Sequence, residues 1–144
     1  MLNLFSYFQL LIISFLAATI LPFSSEVVLT TMYLSNSFET YLLLIFASTG
    51  NIFGSMTNWY LGKKITIFQE RKWFPVSPDQ LNRSQIYFQK YGLWSLLLAW
   101  VPIIGDPLTL FAGALNVRFG IFFILVSISK ISRYFFILYL ASFV

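Results

Sequence analysis

Residues 101–107 read Val-Pro-Ile-Ile-Gly-Asp-Pro, and residues 21–26 read Leu-Pro-Phe-Ser-Ser-Glu. Both interrupt long apolar runs, and how they are read decides the fold. The apolar stretches are 4–34 (broken at 21–26), 41–62, 86–117 (broken at 101–107) and 119–144, with a polar segment over 63–85. A helix that spans a bilayer needs about 20 apolar residues. Segments 41–62 and 119–144 reach that length. The pieces beyond the breaks, 27–34 and 108–115, would extend only about 12 Å each as helices. The economical reading is two hairpins that enter the membrane and turn back, with two spanning helices. Pro22, Pro102, Gly105 and Pro107 are the expected hairpin breaks. Broken backbone at depth requires cover from protein or from a polar cavity.

The composition fits a membrane solvent. The chain is 58% hydrophobic and 10% charged, with mean hydropathy +0.79, whereas a soluble domain carries about 25% charged residues. The expected class is therefore an all-α integral membrane protein forming a single membrane domain over 1–144. The net charge is +4, and Lys63, Lys64, Arg71, Lys72, Arg83 and Lys90 cluster beside the apolar runs. That is a juxtamembrane pattern and not a nucleic-acid surface. By the positive-inside rule the 63–85 loop is cytoplasmic. Within it, Ser77-Pro78-Asp79-Gln80 is a helix start, with a serine cap and proline at the first position. A short extramembrane helix is expected from 78 to about 90. No Lys or Arg precedes residue 63, so 4–21 reads as retained structure rather than a signal peptide.

Sliding the sequence on itself by 80 positions aligns Tyr7-Phe8-Gln9 with Tyr87-Phe88-Gln89. Pro22 then falls on Pro102, Glu26 on Asp106 and Asn36 on Asn116, without a gap. This predicts a repeat of about 4–62 and about 86–144. One spanning segment separates the hairpins, so the repeats would be inverted, an arrangement found in transporters.

Charges inside lipid cost about 2.5–3.5 kcal/mol each on insertion scales, so they persist when paired or wet. Glu26, Asp106, Lys130 and Arg133 are the expected substrate or proton site. Lys130 and Arg133 are three apart and share a helical face. A carboxylate there could exchange protons, and a phosphate could take its place on the cations. Asn51 and Asn58 share a face seven residues apart; helix packing is the favoured role for them and lining the site the alternative. Gly50 and Gly54 form a GxxxG packing face. Arg118 is expected at the interface, and Trp59, Trp73, Trp94 and Trp100 in interfacial belts or packing. Cysteine and histidine are absent, which removes thiolate, imidazole and zinc chemistry. No enzyme motif is present, and neither a cofactor nor a metal is expected. The expected partners are membrane lipids, with protons as a candidate coupling ion and no nucleic acid.

LPFSSEVVL (21–29), GNIFGSMTNWYLG (50–62), KYG (90–92), WVPIIGD (100–106), FAGALNVRFG (111–120) and KISRY (130–134) occur in an order and spacing that resemble the DedA family of bacterial inner-membrane proteins, also called the VTT or SNARE-associated domain, and its short YqaA-type branch. The resemblance covers about residues 10–140. It implies two re-entrant hairpins in inverted repeat, and lipid movement across bilayers: undecaprenyl phosphate recycling in bacteria and scrambling in eukaryotic relatives. It also implies dependence on the proton-motive force and a role in envelope maintenance. Glu26 matches the acid after the family's first break; Asp106 and 111–113 match the second. Ala99 and Gly105 stand where better-known members carry two arginines, and Ser14 where they carry a further acid. Lys130 and Arg133 would then supply the positive charge. The expected function is a carrier or scramblase for an anionic, phosphate-bearing lipid. A structural or assembly protein and a small-ion or proton antiporter are the alternatives.

Overall fold

The computed structural model describes residues 2–19, 24–65, 79, 82, 83, 86, 88–101 and 104–144. Among these, the regular structure is entirely helical: α1 (Leu2–Ala17), α2 (Ser25–Leu34), α3 (Thr40–Ile65), a π turn (Phe88–Gly92), a 3-10 helix (Leu93–Trp100), α4 (Gly105–Ala114) and α5 (Phe119–Ala141). Pro22 and Pro102 lie outside the described residues, as does most of the 63–85 loop. Of the surface helix expected from 78, Asp79, Asn82, Arg83 and Ile86 are described, and they are helical and exposed. Gly105 and Pro107 sit inside the first turn of α4. A proline there costs no intrahelical bond, because the first N–H groups of a helix have no partner to lose.

The two short helices correspond closely. Each has 10 residues, and their bounds are offset by 80 positions, 25 to 105 and 34 to 114. Each closes on an asparagine with positive φ, 55° at Asn36 and 53° at Asn116. Asparagine tolerates that left-handed conformation and so ends a helix. The Asn116 and Val117 amides return to Gly113 and Ala112 carbonyls at 3.0 Å. Where the first half has the regular helix α1, the second has the π turn and 3-10 helix.

Contacts fix the direction of each arm. The Glu39 amide donates to the Tyr7 hydroxyl at 2.8 Å, so the start of α1 and the end of α2 lie together, beside the start of α3. In the second half, Gln89 Nε2 donates to the Asn116 carbonyl at 3.4 Å. Trp59 Nε1 donates to the Val117 carbonyl at 3.1 Å, which seats that end beside the far end of α3. Each half builds its own core: Tyr7, Leu10, Leu29, Leu43 and Ala47 with Tyr134 and Leu138 of α5; and Leu96, Ala99, Ala112, Val117, Phe122 and Val126 with Met56 and Trp59 of α3.

At 26 residues α3 is about 39 Å long, enough to cross a bilayer. Among the described helices only Phe119–Ala141 also has the hydropathy of a span. The difference comes from the buried face of α3, which carries Ser48, Asn51, Ser55 and Asn58 between Gly50, Gly54 and Gly62. The glycines let backbones touch: a β-carbon on Gly50 or Gly54 would strike the Leu11 or Phe15 carbonyl of α1, and one on Gly113 of α4 would strike the Trp59 carbonyl of α3. Substituting Gly113 by valine therefore forces α3 and α4 apart. It should destabilise the protein by about 1–3 kcal/mol or more, read as a lower melting temperature in detergent. Gly120→Ala, with open space around its β-carbon, should melt like the parent.

Candidate functional site

Glu26 and Asp106 are each the second residue of a short helix, in the first turn. A helix N-terminus favours a carboxylate there. Both cations come from α5. Lys130 is the twelfth of its 23 residues, too central to reach water by extending along the helix. Its Nζ lies 3.0 Å from Asp106 Oδ1, and Arg133 forms an ion pair with Glu26. One turn of α5 thus holds both short helices, α2 through Glu26 and α4 through Asp106. The members of each pair differ in access. The Lys130 and Arg133 side chains are 0% and 9% exposed, against 25% for Asp106 and 30% for Glu26. An approaching group therefore meets carboxylate before cation.

A second set of polar groups from all four neighbouring helices surrounds the pairs. Asn51 Nδ2 donates to the Tyr134 hydroxyl at 2.9 Å and to the Ser14 carbonyl at 3.2 Å. Tyr134 Oη lies 2.8 Å from Ser25 Oγ, so α2, α3 and α5 join at one phenol, and Asn51 ties α1 to them through the Ser14 carbonyl. Asn58 Nδ2 donates to the Ala18 carbonyl at 2.8 Å and to Thr109 Oγ1 at 3.1 Å. Thr109 Oγ1 in turn donates to the Asp106 carbonyl at 2.7 Å. Both asparagines therefore make the interhelical bonds expected of a packing role, and they do so beside the ion pairs. Their Oδ1 atoms are buried without a protein partner among the described residues, and buried acceptors of this kind are ordinarily met by water or ligand.

Sequence reasoning missed Tyr134, Ser25 and Thr109 as members of this network. Spacing was the available signal: Tyr134 is four residues after Lys130, and Thr109 three after Asp106, each on the face of its neighbour. Ala99 and Gly105, the two places where the family resemblance leads one to expect arginines, are buried. A β-carbon on Gly105 would strike the Ala99 carbonyl, so no side chain fits at Gly105 without moving the backbone. Arg118 is exposed just before α5. Trp94 and Trp100 are exposed and Trp59 packs against Phe119 at 5.1 Å; Trp73 lies outside the described residues.

Breaking one member of a buried pair leaves the other uncompensated, at a cost of about 3–5 kcal/mol, whereas replacing both members can be nearly neutral. Lys130→Met alone should lower unfolding stability by that amount. Asp106→Asn combined with Lys130→Met should recover most of it, measured by denaturant unfolding in detergent.

The VTT domain is the family that matches, over residues 21–143. The chain is 36% identical over 129 residues to the inner membrane protein YqaA of Escherichia coli and, equally, to that of Shigella flexneri; the match covers 90% of this chain and 86% of each relative. A Haemophilus influenzae protein is 28% identical over 137 residues, covering 90% of this chain and 83% of that protein. No solved structure is significantly similar. With its helical fold and these relatives, the chain is a bacterial inner-membrane protein that belongs to the VTT-domain, or DedA, family.

Proposed function

We propose that the chain is a carrier or scramblase for a lipid with an anionic, phosphate-bearing head group. The observation that carries this reading is the pairing of Glu26 with Arg133 and Asp106 with Lys130 on one central turn of α5. Four charges at that depth are expensive, and two of them stand at the N-termini of short helices. On this reading the hairpins are re-entrant and the halves, about 4–62 and about 86–144, form an inverted repeat within one membrane domain. The matched bounds of α2 and α4 support it, as do the opposite ends of α3 toward which the two hairpins open.

The proposed chemistry is an exchange of partners. A carboxylate that takes a proton loses its hold on its cation, and the lipid phosphate takes that place as a charge-assisted acceptor. The more accessible member of each pair is the half-buried acid, so on this reading the acid is the gate. Release of the proton on the other side would restore the pair and expel the phosphate. Asn51, Asn58 and Tyr134 would hold the cations' helix in register while partners change. Envelope maintenance would follow from lipid redistribution.

A structural role is the second reading, favoured by the fact that each charge already has a partner of opposite sign. Asp106→Asn/Lys130→Met separates the two, because it is expected to keep the fold. In liposomes containing a head-group-labelled anionic lipid, its flux per folded molecule should fall roughly ten- to a hundred-fold, the equivalent of losing one hydrogen bond to a charged group. Flux equal to the parent's would overturn the site assignment. A pH-sensitive dye inside the same liposomes reads small-ion or proton exchange, the third alternative.

The topology is tested separately, and the absence of native cysteine makes it direct. A membrane-impermeant maleimide should label Ser37→Cys from the periplasmic face and Gln89→Cys from the cytoplasmic face, the side expected for the 63–85 loop. Labelling of both from one face would end the inverted arrangement.

A further inference from the structure

α3 presents a second face, opposite its polar one. Phe53, Met56, Thr57 and Tyr60, at successive helical spacings, form one wall of an open apolar groove of about 460 Å³; Leu11 and Phe15 of α1 form the other. Thr57 adds little polarity, since its hydroxyl is turned back to the Phe53 carbonyl at 3.0 Å. Lys64 stands on this same stripe, four residues beyond Tyr60. Its Nζ lies 4.8 Å from the centre of the Tyr60 ring, and the side chain is exposed. Lys63, by contrast, lies over Trp59 on a different stripe.

The dimensions match one leaflet. From Phe53 to Lys64 is 11 residues, or about 17 Å of helix, against about 15 Å for half the hydrocarbon core. Phe53 lies near the middle of α3 and Lys64 in its last turn. A groove that starts at mid-depth, runs to Tyr60 and is followed one turn on by the Lys64 ammonium fits a lipid tail below an anionic head group. Basic residues at this level attract anionic lipid, and the Lys64 stem can lie along the Tyr60 ring while its charge reaches the head-group layer.

We infer that this groove is a binding site for one anionic phospholipid, its acyl chain along Phe53, Met56, Thr57 and Tyr60 and its phosphate on Lys64. The site lies on the face of α3 away from the ion pairs. It requires only that α3 cross the bilayer, so it stands whether or not the protein moves lipid.

Native mass spectrometry of the purified full chain, equilibrated with equal phosphatidylglycerol and phosphatidylcholine, tests it. The parent should retain phosphatidylglycerol in preference. Lys64→Gln, an exposed and structurally mild change, should reduce the retained ratio about five-fold, and Lys63→Gln should leave it unchanged. Thr57→Trp, which fills the groove, should lower retention of both lipids. An unchanged ratio in Lys64→Gln, an equal fall in Lys63→Gln, or no retained lipid in the parent would each overturn the assignment.

Discussion

An ionised side chain in the middle of a bilayer must be met by an opposite charge, by hydrogen bonds or by water, and that requirement organises this protein. Lys130 is wholly buried at the centre of the most apolar long helix. Asp106 is its partner, delivered by the first turn of α4, and Glu26 of α2 does the same for Arg133. Two helices too short to cross anything alone are thereby tied to one that is long enough. The fold places the first turn of each short helix where a cation waits; the positive end of each helix dipole favours the carboxylate it carries, and the attraction for the cation comes from that carboxylate.

The asymmetry between the halves is as informative as their likeness. In an 80-residue register, Lys130 and Arg133 correspond to Gly50 and Phe53 of α3, and Tyr134 to Gly54. Both cations and the bridging phenol therefore belong to α5, while α3 supplies the asparagines and the close-packing glycines. The two long helices share the work differently: α5 carries charge and α3 carries approach. With Gly50 and Gly54 against α1, and Gly62 and Gly113 bringing α3 and α4 together, Asn58 can donate to the Ala18 carbonyl just beyond α1 and to Thr109 of α4 at once. Bulkier residues would hold those arms out of hydrogen-bond range.

α3 also separates two chemistries on one cylinder. Its buried side holds Ser48, Asn51, Ser55 and Asn58. Its outer side, through Phe53, Met56 and Tyr60 to Lys64, is apolar until the last turn. A helix with polar residues inside and apolar residues outside suits a protein whose solvent is lipid, and it explains why α3 falls short of a span's hydropathy while having a span's length.

The sequence by itself determined the helical, membrane-embedded class, the extents of the two long helices, the short lengths of α2 and α4, and the four charges worth watching. Those follow from local rules: run length, the cost of charge in lipid, and the limited reach of an eight- to ten-residue helix. Asn36 and Asn116 were legible as a repeated pair for the same reason, because a left-handed helix stop is a local event. Only the tertiary structure decided who pairs with whom. Glu26 could have met either cation, and the choice of Arg133 rests on how α2 crosses α5. Tyr134 was hidden among phenylalanines until its hydroxyl was seen between Asn51 and Ser25. The irregular π and 3-10 path of 88–100 was equally hidden, for it opposes a regular α-helix in the first half with the same apolar pattern. Hydropathy reports how deep a residue can sit; which neighbours it finds at that depth depends on crossing angles and backbone separations that only the packed helices set.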